Sequence, residues 1–386
     1  MDVYASLASR FPICYLDFRQ AKMNRTSMPN PLNIVIACGG TGGHVFPGMA
    51  TGQALKNRGH AVTLWLSGRS IEESTLPGWD GPVFRTGARP IGFRTLPALL
   101  AILVRVVRQL RIERPDVLLA MGCYSSVSPV LAARLLGIPV VLHEANAVPG
   151  KAVAFLSRFA RVTAIGFPTT ARLLPGRATV CTGMPVRSNI VGQPPMDGFT
   201  PGSGFTVLVT GGSLGAHAVN ELASAALVHL RDQGKGAGFQ VIHQCGPADE
   251  PVLRSRYAAA GIHAAVTPFL REMGRAYASA DLAIARAGAA TCAELCLCGV
   301  PAILIPLPTA IRDHQRLNAE AMVQSGGALL RNQPDLTSPT LASDISTIRD
   351  DPAQRVSMRQ ALLRLAVPDA ADQLAEVVVE TVSSKQ

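Results

Sequence analysis

Apolar residues in this chain come in short runs. Ile34 to Cys38 is one such run, and "NIVIACGGTGGHVFPG" (33–48) then breaks into four glycines around Thr41, followed by His44. Comparable runs lie near 61–66, 117–121, 138–142 and 162–165. Their length suits strands buried on both faces. Helical patterns fill the gaps, over 46–58, 95–113 and 127–136. The stretch "VGQPPMDGFTPGSG" (191–204) is dense in proline and glycine and reads as a linker. Beyond it the alternation restarts, with strands near 205–210, 239–244, 281–285 and 301–305. Strands separated by helices predict parallel βαβ units. The chain is therefore read as α/β, with two Rossmann-like, doubly wound domains facing a cleft. The expected boundaries are a disordered extension at 1–30, a first domain at 31–190, the linker, and a second domain at 205–365. Residues 366–386 are expected to form a helix packing back on the first domain.

The second domain opens as the first does. "FTVLVTGGSLGAHAVN" (205–220) again gives strand, glycines, small polar residue, histidine and helix. Glycine lets a ligand approach backbone N–H groups closely. At a helix N-terminus those groups are unpaired and the dipole is positive, so both turns suit phosphate. The common nucleotide loops do not fit. From Gly40 the dinucleotide fingerprint meets Val45 where its third glycine belongs, and the second strand ends "LWLSGRS" without an acid. No Gly-Lys-Ser/Thr loop is present. A Rossmann dehydrogenase remains an alternative, as do turns that bind nothing.

Composition narrows the partners. The chain is 48% hydrophobic and 16% charged, which suits folded domains and excludes a disordered chain. A net charge of +10 favours an anionic partner: nucleic acid, phosphorylated substrate or acidic membrane. The eight cysteines are scattered apart from Cys292, Cys296 and Cys298, which lack further ligands at usable spacing. They read as reduced, mostly buried thiols. No metal is expected, and no Asp-x-Asp pair stands beside the glycine-rich turns. No apolar run reaches the roughly 18–20 residues of a membrane span. Residues 81–114 nonetheless hold seven arginines, no lysine and one acid, Glu113. There Leu96, Leu99, Leu100, Leu103, Val107 and Leu110 recur at helical spacing beside Arg105, Arg108 and Arg111. Such a helix can pack on its sheet and also suit an anionic bilayer surface.

Five stretches then carry a resemblance: "GGTGGHVFPG", "MGCYSSVSPVLAARLLGIPVVLHEANAVPGKA" (121–152), "TGMPVR" (182–187), "GGSLGAHAVN" and "RAGAATCAELCLCGVPAILIPLP" (286–308). In this order they resemble the MurG family, the N-acetylglucosaminyltransferases that convert lipid I to lipid II in bacterial peptidoglycan synthesis. The resemblance runs from about residue 33 to the C-terminus. It implies a GT-B fold, with the acceptor site in the first domain and UDP-GlcNAc mainly in the second. It also implies a peripheral enzyme on the cytoplasmic face of the inner membrane, with no cofactor and no nucleic acid. The implied partners are UDP-GlcNAc, lipid I and an anionic membrane surface, with other cell-wall synthesis enzymes as candidates.

The resemblance assigns residues as follows. His44 is the candidate base, against a helix-start histidine that only orients the loop or binds phosphate. Thr41, Gly42 and Gly43 match the diphosphate cradle, and with Asn146 they count toward both acceptor and donor sites. Tyr124 matches a position near the acceptor. The family commonly reads His-Glu-Gln-Asn where this chain has His143-Glu144-Ala145-Asn146. Any role for that glutamine is therefore in doubt. Arg187 could hold a diphosphate bidentately. Gly212, Ser213, Leu214 and Gly215 match the donor loop, and Phe269, Leu270 and Met273 a uracil-lining turn. Glu294 matches a ribose-binding glutamate, and Gln315 a sugar contact, with His314 the weaker choice.

Overall fold

A computed structural model describes residues 30–383 except 41, 74, 89–95, 188, 203, 213–214 and 235–237, together with all but the side chains of 70–71 and 96–100. Thr41, Ser213, Leu214, Arg89, Arg94 and most of the expected N-terminal extension lie outside the described residues.

Seven parallel strands make the first sheet: β1 (Asn33–Ala37), β2 (Ala61–Leu66), β3 (Val83–Arg85), β4 (Val117–Ala120), β5 (Val140–Glu144), β6 (Val162–Ile165) and β7 (Thr179–Cys181). Their order is β3-β2-β1-β4-β5-β6-β7. The second sheet has six: β8 (Phe205–Thr210), β9 (Phe239–Gln244), β10 (His263–Thr267), β11 (Leu282–Ala285), β12 (Ala302–Leu304) and β13 (Ala328–Leu330). These run β10-β9-β8-β11-β12-β13, also parallel. Each order reverses beside the first strand of its domain. There, outside the strands' C-terminal ends, doubly wound sheets bind ligands.

The helices of the first domain are α1 (Gly42–Asn57), the single turn α2 (Ser70–Glu73), α3 (Leu96–Glu113), α4 (Val127–Leu135) and α5 (Lys151–Leu156). The second domain carries α6 (His217–Asp232), α7 (Glu250–Ala259), α8 (Met273–Ser279), α9 (Ala289–Cys298), α10 (His314–Gln324), α11 (Ser338–Asp350) and α12 (Pro352–Leu365). The last helix, α13 (Ala370–Ser383), packs on α1, and its Leu374 and Val378 are buried in one cluster with Ile34 and Ile36.

Four strands have no counterpart among the expected ones. β3 and β7 are three-residue edge strands with no buried position. β13 is equally short, and β10 reads "HAAVT", too rich in alanine to stand out as a strand. The first helix begins at Gly42, not 46, so the glycine-rich turn supplies its opening residues. The 191–204 stretch is no free tether. Phe199 is buried in the second-domain core together with Ile190, and Arg275 donates to Pro195 O at 2.9 Å and to Asp197 at 2.7 Å.

Candidate active site

The first glycine-rich turn is held by a carboxylate. Glu72 is buried at the end of α2 and accepts from Gly40 N (2.5 Å), Gly68 N (2.8 Å), Arg69 N (3.2 Å) and the Ser67 backbone and hydroxyl. Burial alone would raise its pKa, but these bonds outweigh burial and hold it below the ordinary value. Gly40 needs φ +134°, open to glycine alone at low cost. From below, Cys123 Sγ and Ser125 Oγ donate to Gly39 O at 2.5 and 2.7 Å.

The turn delivers Gly42, buried, and Gly43, exposed, into the first turn of α1, whose N–H groups have no helical partner. His44 follows, half-buried, with its pKa pushed down to about 4 by desolvation. His143, fully buried on β5, is likewise pushed down to about 4, by burial first and by the nearby His44 in addition. Both imidazoles are therefore neutral at pH 7. Tyr124 opens the 3-10 turn after β4, and its hydroxyl is buried with no hydrogen-bond partner.

Asn146 follows β5. Its N–H and Nδ2 both donate to Glu144 Oε1, at 2.9 and 3.0 Å, and its Oδ1 accepts from Asn318 across the cleft at 3.1 Å. Much of its amide is thus already committed within the protein, which leaves one N–H and one lone pair for a ligand.

On the facing side, the second glycine-rich turn is pinned by Gln244 at the end of β9. Its Nε2 donates to Gly212 O at 2.6 Å, and its Oε1 accepts from Leu270 N at 3.1 Å. At Gly215 (φ +75°) a Cβ would meet Cys245 O at 2.1 Å, so the turn admits no side chain. Leu270 and Met273 are buried in the second-domain core, whereas Phe269 is 37% exposed. Glu294, on α9, is buried beside Tyr277 and Arg187. Tyr277 donates to Oε2 at 3.0 Å, and Arg187 Nη2 lies 3.3 Å from Oε1. Gln315, at the start of α10, accepts from Leu307 N at 3.0 Å. His314 instead caps its own turn, with Nδ1 2.9 Å from Ile311 O.

Arg187 touches both domains. Its guanidinium lies over the Phe46 ring of α1 at 4.6 Å, while its Nε is buried without an acceptor. A cation with a spare buried N–H beside the opening turns of α1 is equipped to receive an anion. Glu72, Gln244 and Asn318 were not singled out in the sequence. Gln244 ends a strand, and that position is a signal; nothing local marks Glu72.

Two family models match, the glycosyltransferase family 28 N-terminal domain over residues 34–165 and the family 28 C-terminal domain over 206–374. The chain belongs to glycosyltransferase family 28. Among its relatives is a Xanthomonas axonopodis pv. citri protein, 40% identical over 357 residues, covering 90% of this chain and 82% of that one. Another, from Syntrophotalea carbinolica, is 38% identical over 90% of this chain and 98% of its own length. Both are named UDP-N-acetylglucosamine--N-acetylmuramyl-(pentapeptide) pyrophosphoryl-undecaprenol N-acetylglucosamine transferase. The crystal structure of Acinetobacter baumannii MurG superposes with a TM-score of 0.73 at 30% identity, covering 91% of this chain and all of the other. For a family 28 chain, two Rossmann-like domains in the GT-B arrangement are the expected architecture, and the two sheets provide it.

Proposed function

We propose that this chain transfers GlcNAc from UDP-GlcNAc to the 4-hydroxyl of the MurNAc unit of lipid I, giving lipid II and UDP. The observation that carries the reading is Arg187, which joins Glu294 of the second domain to Phe46 of the first. A donor held at Glu294 and an acceptor held at the start of α1 would meet beside it.

The reaction is an inverting displacement. The acceptor oxygen forms a bond to the anomeric carbon as the bond from that carbon to the diphosphate breaks. The hydroxyl proton passes to a base, for which His44 is proposed: it is neutral at pH 7 and stands at the turn. The leaving diphosphate gathers negative charge. The Arg187 Nε–H and the backbone N–H groups at the starts of α1 and α6 would offset that charge. Glu294 would accept from the ribose hydroxyls, Phe269 would cover the uracil, and Gln315 would reach the sugar. Gly212 and Gly215 would bring the donor-loop backbone to the diphosphate. Gly42, Gly43, Tyr124 and Asn146 would face the acceptor.

Lipid I lies in a membrane, so the enzyme must reach one. No helix among the described residues is long and apolar enough to cross a bilayer. A groove of about 450 Å³ on α3 and α4 is lined by Leu103, Val104, Val107, Arg108, Arg111 and Leu135. Val104 and Leu135 are 62% and 70% exposed. Exposed aliphatics beside arginines support peripheral attachment to the cytoplasmic face of the inner membrane. Arg85 contributes less than its position in the basic segment suggests, because it is paired with Glu73.

The test is UDP release by the purified protein with UDP-GlcNAc, with and without a lipid I analogue. Release that depends on the analogue, with a glycosylated product by mass spectrometry, is expected. No release with the analogue, but release with another acceptor, would overturn the assignment of substrate.

A further inference from the structure

Asn318, on α10 of the second domain, is fully buried and its amide is committed on three sides. Oδ1 accepts from Ala147 N at 2.8 Å, while Nδ2 donates to Asn146 Oδ1 at 3.1 Å and to Ala287 O at 3.1 Å. Asn146 and Ala147 belong to the first-domain loop after β5. Ala287 lies in the segment that opens α9, the helix carrying Glu294. One asparagine therefore links the candidate acceptor loop, the donor helix α9 and α10. An amide suits this junction because it offers one acceptor and two donors in a fixed plane.

A second contact grips the same loop. Arg312 Nη1 donates to Pro149 O at 3.0 Å. Arg312 and the next residue, Asp313, both sit in the left-handed region, at φ 56° and 54°. Non-glycine residues hold that conformation only when their surroundings over-determine it. Here Arg316 pairs with Asp313 and Glu320 beneath the turn, and the Arg312 bond to Pro149 closes it above. The first-domain partner is equally fixed. Glu144 Oε2 accepts from Gly150 N at 2.8 Å, and Thr170 Oγ1 donates to Asn146 O and Ala147 O at 3.0 and 3.1 Å. Gln315 lies between the two gripping residues.

We propose that Asn318 is a positioning residue which, together with Arg312, latches α10 onto the 144–150 loop and so fixes the spacing between Gln315 on the donor side and Asn146 on the acceptor side. The inference rests on the proposed function for the identity of the substrates, and on the hydrogen bonds alone for the latch. Neither side chain contacts the reacting atoms. Their effect comes through the alignment of two half-sites, and small misplacements of reacting groups cost heavily in rate.

The experiment compares Asn318→Leu and Arg312→Gly with the wild-type chain by UDP calorimetry, steady-state kinetics and small-angle X-ray scattering. The glycine relieves the left-handed backbone, and it removes a single, part-buried cross-domain bond. Expected are UDP affinities within about threefold, since the bonds of Asn318 and Arg312 go to Asn146, Ala147, Pro149 and Ala287 and not to Glu294 or Gln315. A kcat lowered at least about tenfold in Asn318→Leu and less in Arg312→Gly, a raised acceptor KM and a larger radius of gyration complete the expectation. Unchanged kcat and scattering in both variants would overturn the latch. So would a loss of UDP affinity and thermal midpoint in Asn318→Leu with normal turnover and scattering in Arg312→Gly, because Asn318 would then serve only its own domain through Ala287. If the wild-type chain glycosylates no lipid I analogue, the substrate reading fails, while scattering and UDP binding still judge the latch.

Discussion

Arg187 Nη2 and Glu294 Oε1 are 3.3 Å apart, with side chains 19% and 10% exposed. This mostly buried ion pair sits where the proposed donor must bind, so the ribose and Arg187 address the same carboxylate. Burial raises the Glu294 pKa, and Arg187 and the Tyr277 hydroxyl oppose that rise without cancelling it.

Replacing Glu294 with Ala should weaken UDP binding by about a hundredfold, taking two lost hydroxyl bonds at about 1.5 kcal/mol each. The pH dependence has a defined sign. The carboxylate form binds ribose, so donor affinity should climb as pH rises through the elevated folded pKa and then level off. Stability runs the other way, because a raised pKa contributes stability below the unfolded value of 4.5 that is lost as pH rises through the folded one. Glu294→Gln sheds the buried charge and should not lower the unfolding midpoint at pH 7, yet should still bind UDP poorly. Calorimetry and thermal melts read both. Undiminished affinity in either variant removes Glu294 from the donor site.

The architecture was legible because buried parallel strands write themselves as apolar runs, as Ile34–Cys38 and Phe205–Thr210 do. Edge strands such as Val83–Arg85 bury no residue and leave no such mark. The two glycine-rich turns were legible as candidate phosphate sites from their residues alone. What holds those turns was hidden, because Glu72 acts on Gly40 from 32 residues away and Asn318 on Asn146 from 172. Contacts of that range depend on the topology of the sheets, and no local spacing encodes them.

Glu72 should prove essential to the first turn. Glu72→Ala leaves the N–H groups of Gly40, Gly68 and Arg69 without their acceptor and should cost roughly 3 kcal/mol, more than one neutral bond and less than their sum. Its depressed pKa means that its stabilisation is complete above the unfolded value of 4.5 and is lost as pH falls through the folded one. Denaturant midpoints from pH 7 to 3 should fall more gently in Glu72→Gln than in the wild-type chain. Parallel curves would show that this carboxylate does not govern the acid limb.

His44→Ala should lower kcat by about 10²–10⁴ with little change in donor KM, as expected for loss of a general base. The depressed pKa, about 4, places the neutral, proton-accepting form across the whole range from pH 5 to 8. An acid limb of kcat/KM near pH 6.5 that disappears in the variant would contradict that environment. Activity within about threefold of wild type, worth only about 0.7 kcal/mol, would leave His44 as a residue that orients the turn.

The groove on α3 makes a separate claim about where the enzyme works. Arg108 and Arg111 are exposed at its rim, beside Val104 and Leu135. Each arginine near anionic lipid contributes about 1 kcal/mol and is screened by salt. Arg108→Glu with Arg111→Glu should therefore reduce binding to anionic vesicles at least about thirtyfold, the equivalent of about 2 kcal/mol. Val104→Ser with Leu135→Ser should instead remove binding that survives high salt, because apolar insertion is insensitive to screening. Turnover of a long-chain acceptor in vesicles should fall in both pairs. Turnover of a short, water-soluble acceptor should not, since none of the four residues belongs to the glycine-rich turns or to the Arg187 cluster. Equal losses on the two acceptors would mean that the groove supports the fold of α3 against α4, and membrane contact would have to be sought on another face.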